Sequence, residues 1–151
     1  MSKKPFAIIA AGLAGGAADI LTAFVIYRPA SPDRILQAVA SGLLGPASFD
    51  GGWTSAAIGA VCHFVIAIIF AGLYVVGAGH ASVLLRKPVL GGLTFGVFVY
   101  GVMNAIVVPL SRAADRMTPP DHMTALGLLA HAFFGIALAV TAARILRTPK
   151  V

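Results

Sequence analysis

Charged residues are scarce in this sequence. They make up 11% of its 151 residues, which is less than half of the roughly 25% typical of soluble domains. Glutamate does not occur at all, and the 5 acidic residues are aspartates. A chain with so few charges cannot cover a surface that faces water, so the sequence indicates an integral membrane protein. Its mean hydropathy of +0.94 agrees with this interpretation.

Cysteine pairs and enzyme motifs are also missing. The single cysteine, Cys62, excludes an intramolecular disulfide and any metal site built from several thiolates. The sequence has no phosphate-binding loop, no Gly-x-Ser-x-Gly motif and no His-Glu-x-x-His motif. The glycines of 12–16 precede no predicted strand, so they are not a dinucleotide-binding fingerprint. We therefore predict that the protein is not an enzyme.

Long apolar runs are what the sequence has in abundance. The clearest covers 54–77 and contains no Asp, Glu, Lys or Arg. A helix needs about 20 apolar residues to cross a bilayer, so this run is long enough. The same reasoning predicts four spans, at about 6–27, 54–77, 89–110 and 123–143. We predict an all-α bundle of four transmembrane helices that forms one domain over 1–151.

The first loop contains an amphipathic segment that is too short to span. Ser31 and the following proline are typical of a helix start, and Gly45-Pro46 is typical of its end. We predict a helix at about 33–44 that lies in the membrane interface. The alternative is a helix packed over the mouth of the bundle.

Basic residues predict the orientation of the chain. The formal net charge is +6, and the Lys and Arg residues flank the apolar runs. In that position they favour contact with anionic lipid rather than nucleic acid. The N-terminus, second loop and C-terminal tail hold 7 of them, against 4 in the first and third loops. Both termini are therefore predicted to be cytoplasmic.

Each predicted span carries a polar residue on its small-residue face. With this topology, these residues lie roughly 9–14 Å below the outer boundary of the membrane. A carboxylate at such a depth needs a partner or a proton. The predicted buried polar site consists of Asp19, His63, Tyr100, Asn104 and His131.

Several roles for this polar site remain open. It could only join helices through hydrogen bonds, or it could bind protons or a solute. His63 and His131 could ligate a b-type haem, with room for the porphyrin beside Gly127 and Gly135. Together with Asp19, the same histidines supply the ligand types of a metal site. A binding site predicts that the glycine faces point inward, whereas an accessory subunit predicts that they point towards a second protein.

More than half of the chain, from the second span onwards, resembles a known family. The matching residues are His63-Phe64, Gly72-Leu73-Tyr74, Val108-Pro109-Leu110, Thr118-Pro119-Pro120, Ala130-His131 and Ala143-Arg144-Ile145. These resemble the YagU-like family of small bacterial inner-membrane proteins. The resemblance implies a multi-pass protein of the bacterial inner membrane without an assigned activity. It does not extend to Asp19, because the first third of the chain departs from the family.

We expect a non-enzymatic membrane protein that contacts the lipid bilayer. It is predicted to be an accessory subunit, or a protein that responds to protons or to a solute. As its partners we expect further copies of itself or a larger membrane complex, and no nucleic acid. The alternative is a haem-binding or metal-binding subunit of a membrane redox complex.

Overall fold

Most of the residues that the computed structural model describes, 3–28, 30–113 and 121–147, are helical, and short turns connect the helices. We number its α-helices in chain order. They are α1 (Lys4–Ile26), α2 (Pro32–Leu44), α3 (Gly52–His80), α4 (Val83–Arg86), α5 (Pro88–Val102), α6 (Val108–Leu110) and α7 (Asp121–Arg147). A 3₁₀ helix, Gly45–Phe49, follows α2, and a π-helical turn, Met103–Val107, joins α5 to α6. These residues contain no strand.

Four helical segments are long and apolar enough to cross a membrane. They cover Lys4–Ile26, Gly52–His80, Pro88–Leu110 and Ala125–Arg147, with mean hydropathies between 1.9 and 2.4. Each corresponds to one predicted span, with ends that differ by a few residues. The prediction of an all-helical protein with four apolar helices is confirmed. The cytoplasmic position of both termini stays a prediction.

The helix α7 lies at the centre of the arrangement. It packs along α1 on one side and along α5 on the other, while α3 packs against α1 and α2 and barely approaches α7. The seam between α3 and α5 is closed by aromatic rings. Phe95 of α5 meets Phe70 and Tyr74 of α3 edge-on, with ring centroids 6.5 and 5.1 Å apart. This end of the bundle is a packed apolar core.

Glycines bring the helices into close contact. A Cβ atom on Gly96 would collide with the carbonyl oxygen of His131, and one on Gly92 would collide with that of Gly135. On α1, a Cβ on Gly12 would lie 2.7 Å from the Cα of Ile68. The predicted glycine faces therefore point into the chain's own bundle, as a binding site requires, and not towards a second protein.

The helix α2 packs across the end of α3. Gly59 of α3 allows this approach, since a Cβ there would collide with the carbonyl oxygen of Leu36. On its other side, the backbone N–H of Arg112 donates to the carbonyl of Gly42 over 3.0 Å. This matches the alternative of a helix packed over the bundle mouth. A position of α2 in the membrane interface stays a prediction.

The two ends of α2 are built differently from each other. Ser31 occupies the N-cap position, but its side chain makes no capping hydrogen bond to the helix. Instead it bonds to the carboxylate of Asp33, which lowers the pKa of Asp33. At the other end, Gly45 has a φ of 66°, a conformation that glycine adopts without a steric cost and that ends the helix.

Candidate functional site

A cavity of about 640 Å³ lies between α1, α2, α3, α5 and α7. Phe70, Val99 and Phe134 separate it from the packed core, because they belong to both. Residues of α2, including Ile35 and Val39, line it as well. All five residues of the predicted polar site line this cavity: Asp19, His63, Tyr100, Asn104 and His131. Their position at a single membrane depth stays a prediction.

Asp19 and His131 form the closest pair of ionisable groups in the cavity. The Oδ1 atom of Asp19 lies 3.7 Å from the Nδ1 atom of His131, and the side chains are 16% and 22% exposed. This distance suits an ion pair when the imidazole is protonated, but it is too long for a good hydrogen bond. The Oδ1 atom is enclosed and accepts no hydrogen bond from any described residue.

The tautomer of His131 follows from a backbone contact. Its Nδ1 atom lies 2.9 Å from the carbonyl oxygen of Gly127, one turn earlier in α7. Since a carbonyl only accepts, Nδ1 must carry a proton and donate it there. The ring of Tyr100 meets the imidazole edge-on, with centroids 5.3 Å apart. His131 is therefore fixed in orientation, and its Nε2 atom gains a proton when the ring becomes charged.

His63 is joined to the backbone of α1. Its Nε2 atom lies 2.8 Å from the carbonyl oxygen of Gly16, three residues before Asp19. By the same reasoning Nε2 is the donor in the neutral ring. His63 therefore connects α3 to α1 beside the cavity, and its contacts include no direct bond to Asp19.

Asn104 differs from its prediction, because it is exposed rather than buried. Its Nδ2 atom donates to the carbonyl oxygen of Tyr100 over 2.8 Å. The π-helical turn begins at residue 103, so the α-helical spacing that placed Asn104 on the small-residue face does not continue to it. Turns of this kind are often found at functional sites. As an exposed residue that also lines the cavity, Asn104 marks one edge of it.

Part of the space beside His131 that the haem hypothesis requires is filled. Gly135 packs against the backbone of Gly92, whereas Gly127 lines the cavity, where an added Cβ would lie 3.1 Å from the Tyr27 hydroxyl. Haem ligation by His63 and His131 stays a prediction. Among the residues that the structure describes, no three His, Cys, Asp or Glu side chains are grouped as the ligands of one metal ion.

The predicted site lacks three polar residues that line the cavity, namely Tyr27, Arg34 and Ser111. Tyr27 lines it from the end of α1. The spacing of eight residues from Asp19 places both on one helix face, so the sequence contained this signal. Arg34 lines it from α2, and no pattern in the sequence indicated that α2 would cover these residues.

Comparisons with known proteins add no relative. No family model, no curated protein and no solved structure matches the chain. The resemblance to the YagU-like family therefore stays a prediction.

Proposed function

We propose that this is a non-enzymatic membrane protein that binds a small, largely apolar molecule in its cavity and responds to protons. The observation that carries the proposal is the Asp19–His131 pair, which lies inside a cavity otherwise lined mainly by apolar side chains. Four apolar helices already indicate a multi-pass membrane protein. We further propose the bacterial inner membrane as its location, with both termini in the cytoplasm.

The size and lining of the cavity support ligand binding. Small-molecule sites commonly enclose about 300–1,000 Å³ and combine apolar walls with a few polar groups. The cavity of about 640 Å³ lies within this range. Its hydroxyl groups do not suggest a nucleophile. Ser111, for example, donates to the carbonyl of Val108 and accepts from the backbone N–H of Ala113.

The proton response is supported by the cost of a buried charge. An ionised Asp19 beside a neutral His131 would leave a carboxylate oxygen enclosed without a donor, which is unfavourable. Protonation of Asp19 would remove the negative charge from this oxygen, and we propose that the response to protons occurs at this pair.

We also propose that the protein associates with other membrane proteins. Only 11% of the most apolar window of Pro88–Leu110 is buried within the chain. The rest of this surface faces lipid, further copies of the chain or another subunit of a membrane complex.

A cavity-filling variant tests the proposal. We would measure binding of adamantanol, a compact neutral apolar probe, to the protein in lipid nanodiscs by calorimetry. Ala38 of α2 lines the cavity, and Ala38→Phe should weaken binding because the added ring occupies part of it. Ala47 is exposed and does not line the cavity, so Ala47→Phe is the matched control. Equal binding to both variants, or no binding to the unmodified protein, would overturn the proposal.

A further inference from the structure

We infer that the molecule bound in this cavity is an amphipathic organic cation, an apolar body that carries a protonated amine. The ammonium group pairs with Asp19, and the apolar body occupies the space between α2 and the packed core. This inference rests on the proposed function and specifies its ligand class.

The Oδ1 atom of Asp19 is a hydrogen-bond acceptor that a ligand can reach from the cavity. The proton on Nδ1 of His131 is directed to Gly127, 2.9 Å away, and Oδ1 of Asp19 is 3.7 Å from the same nitrogen. No described residue donates to Oδ1. A buried acceptor without a donor is unfavourable. A ligand ammonium supplies both the missing donor and the missing positive charge.

The charges of the groups that line the cavity bear on the charge of its ligand. The ionisable groups on the elements that line the cavity are Asp19 and Tyr27 of α1, Arg34 of α2, His63 of α3, Tyr100 of α5 and His131 of α7. Asp19 is the one acidic side chain among these described residues. The guanidinium of Arg34 donates to the carbonyl of Phe49 over 2.8 Å and to Gln37 over 3.2 Å. The Arg34 side chain is exposed, and these hydrogen bonds go to α2 and to the 3₁₀ helix that follows it, not to Asp19.

The aromatic side chains that line the cavity suit an apolar organic ligand. Phe70, Phe134 and Tyr100 give the cavity wall aromatic faces and edges. Aromatic rings attract organic cations through the negative faces of their π systems. A metal cation such as Ca²⁺ needs six or more oxygen ligands, which one carboxylate does not supply. The cavity therefore favours an organic amine over an inorganic ion.

Two probes of the same shape test this inference. We would titrate the protein in nanodiscs with adamantylammonium and with adamantanol and follow binding by calorimetry. The ammonium should bind about tenfold or more tightly than the alcohol, as expected for a charged donor on a carboxylate oxygen that is enclosed by protein.

Two variants of Asp19 test whether the ammonium binds at this residue. Asp19→Asn should lower the affinity for the ammonium to that for adamantanol, and circular dichroism shows whether the variant is folded. Asp19→Glu, which keeps the charge, should retain the preference. If Asp19→Asn does not fold, the affinity ratio of the unmodified protein decides the question.

The possible failures are distinguishable. Binding of adamantanol without preference for the ammonium overturns the ligand class and leaves the proposed function intact. A preference that persists in folded Asp19→Asn also overturns it, because the cation then binds elsewhere. If neither probe binds, the proposed function fails together with the inference.

Discussion

The Nε2 atom of His63 lies 2.8 Å from the carbonyl oxygen of Gly16 and joins α3 to α1. Because membrane helices have little hydrophobic reason to associate, such a bond is a larger part of their attraction than it would be in water. His63→Leu should lower the free energy of unfolding by about 0.6–2 kcal/mol. Unfolding by denaturing detergent, followed by circular dichroism, measures the change.

Asn104 provides the control for His63. Among the described residues, its side chain bonds to the carbonyl of Tyr100 in the same helical segment, and it is exposed. Asn104→Leu should therefore change the unfolding free energy much less than His63→Leu. Equal losses in the two variants would contradict a role of His63 in joining helices.

Gly96 tests the close contact between α5 and α7. A Cβ at this position would collide with the carbonyl oxygen of His131, which is backbone and cannot turn aside. Gly96→Val should separate the helices and destabilise the fold by about 1–3 kcal/mol or more. Gly101 has nothing within 4 Å of an added Cβ, so Gly101→Val is the matched control. Thermal unfolding in one detergent should give a lower midpoint temperature for Gly96→Val than for Gly101→Val.

The fold was largely predictable because a bilayer restricts both the length and the composition of a helix. An apolar run as long as 54–77 is expected to form a membrane-spanning helix, and the same holds for the other three runs. The glycine contacts were also predictable, since residues such as Gly92 and Gly96 share one helix face and membrane helices approach each other at small residues.

The position of α2 and the shape of the cavity were less predictable. The apolar face of a short amphipathic helix can rest on lipid or on protein, and its own sequence does not distinguish them. The cavity exists because α2 meets both Gly59 and the segment that contains Arg112, a contact between distant parts of the chain. The π-helical turn at 103–107 was not predictable either, because its residues are compatible with an ordinary α-helix.

The topology prediction can be tested by labelling. In a Cys62→Ala background, a cysteine would be placed at Ala47 in the first loop or at Ser82 in the second, both exposed. If both termini are cytoplasmic, a membrane-impermeant maleimide should label Ala47→Cys in intact spheroplasts. It should label Ser82→Cys only after lysis. The reverse pattern would place both termini outside.

The start of α2 offers a prediction about pH. The hydrogen bond from the Ser31 hydroxyl lowers the pKa of Asp33. Because the pKa is lower in the folded chain, this interaction stabilises the fold above the unfolded pKa of about 3.9 and is lost as the pH falls through the folded value. Ser31→Ala should raise the pKa of Asp33 in an NMR titration. An unchanged titration would show that the hydroxyl is not the cause.

The Asp19–His131 pair can be examined without any ligand through a double-mutant cycle. The two side chains are 3.7 Å apart, so the losses of stability in Asp19→Asn and His131→Gln should not add. Contacting pairs show coupling energies of about 0.5–3 kcal/mol. A coupling energy near zero would show that the two side chains do not act as a pair, and the proposed function would then lose the observation that carries it.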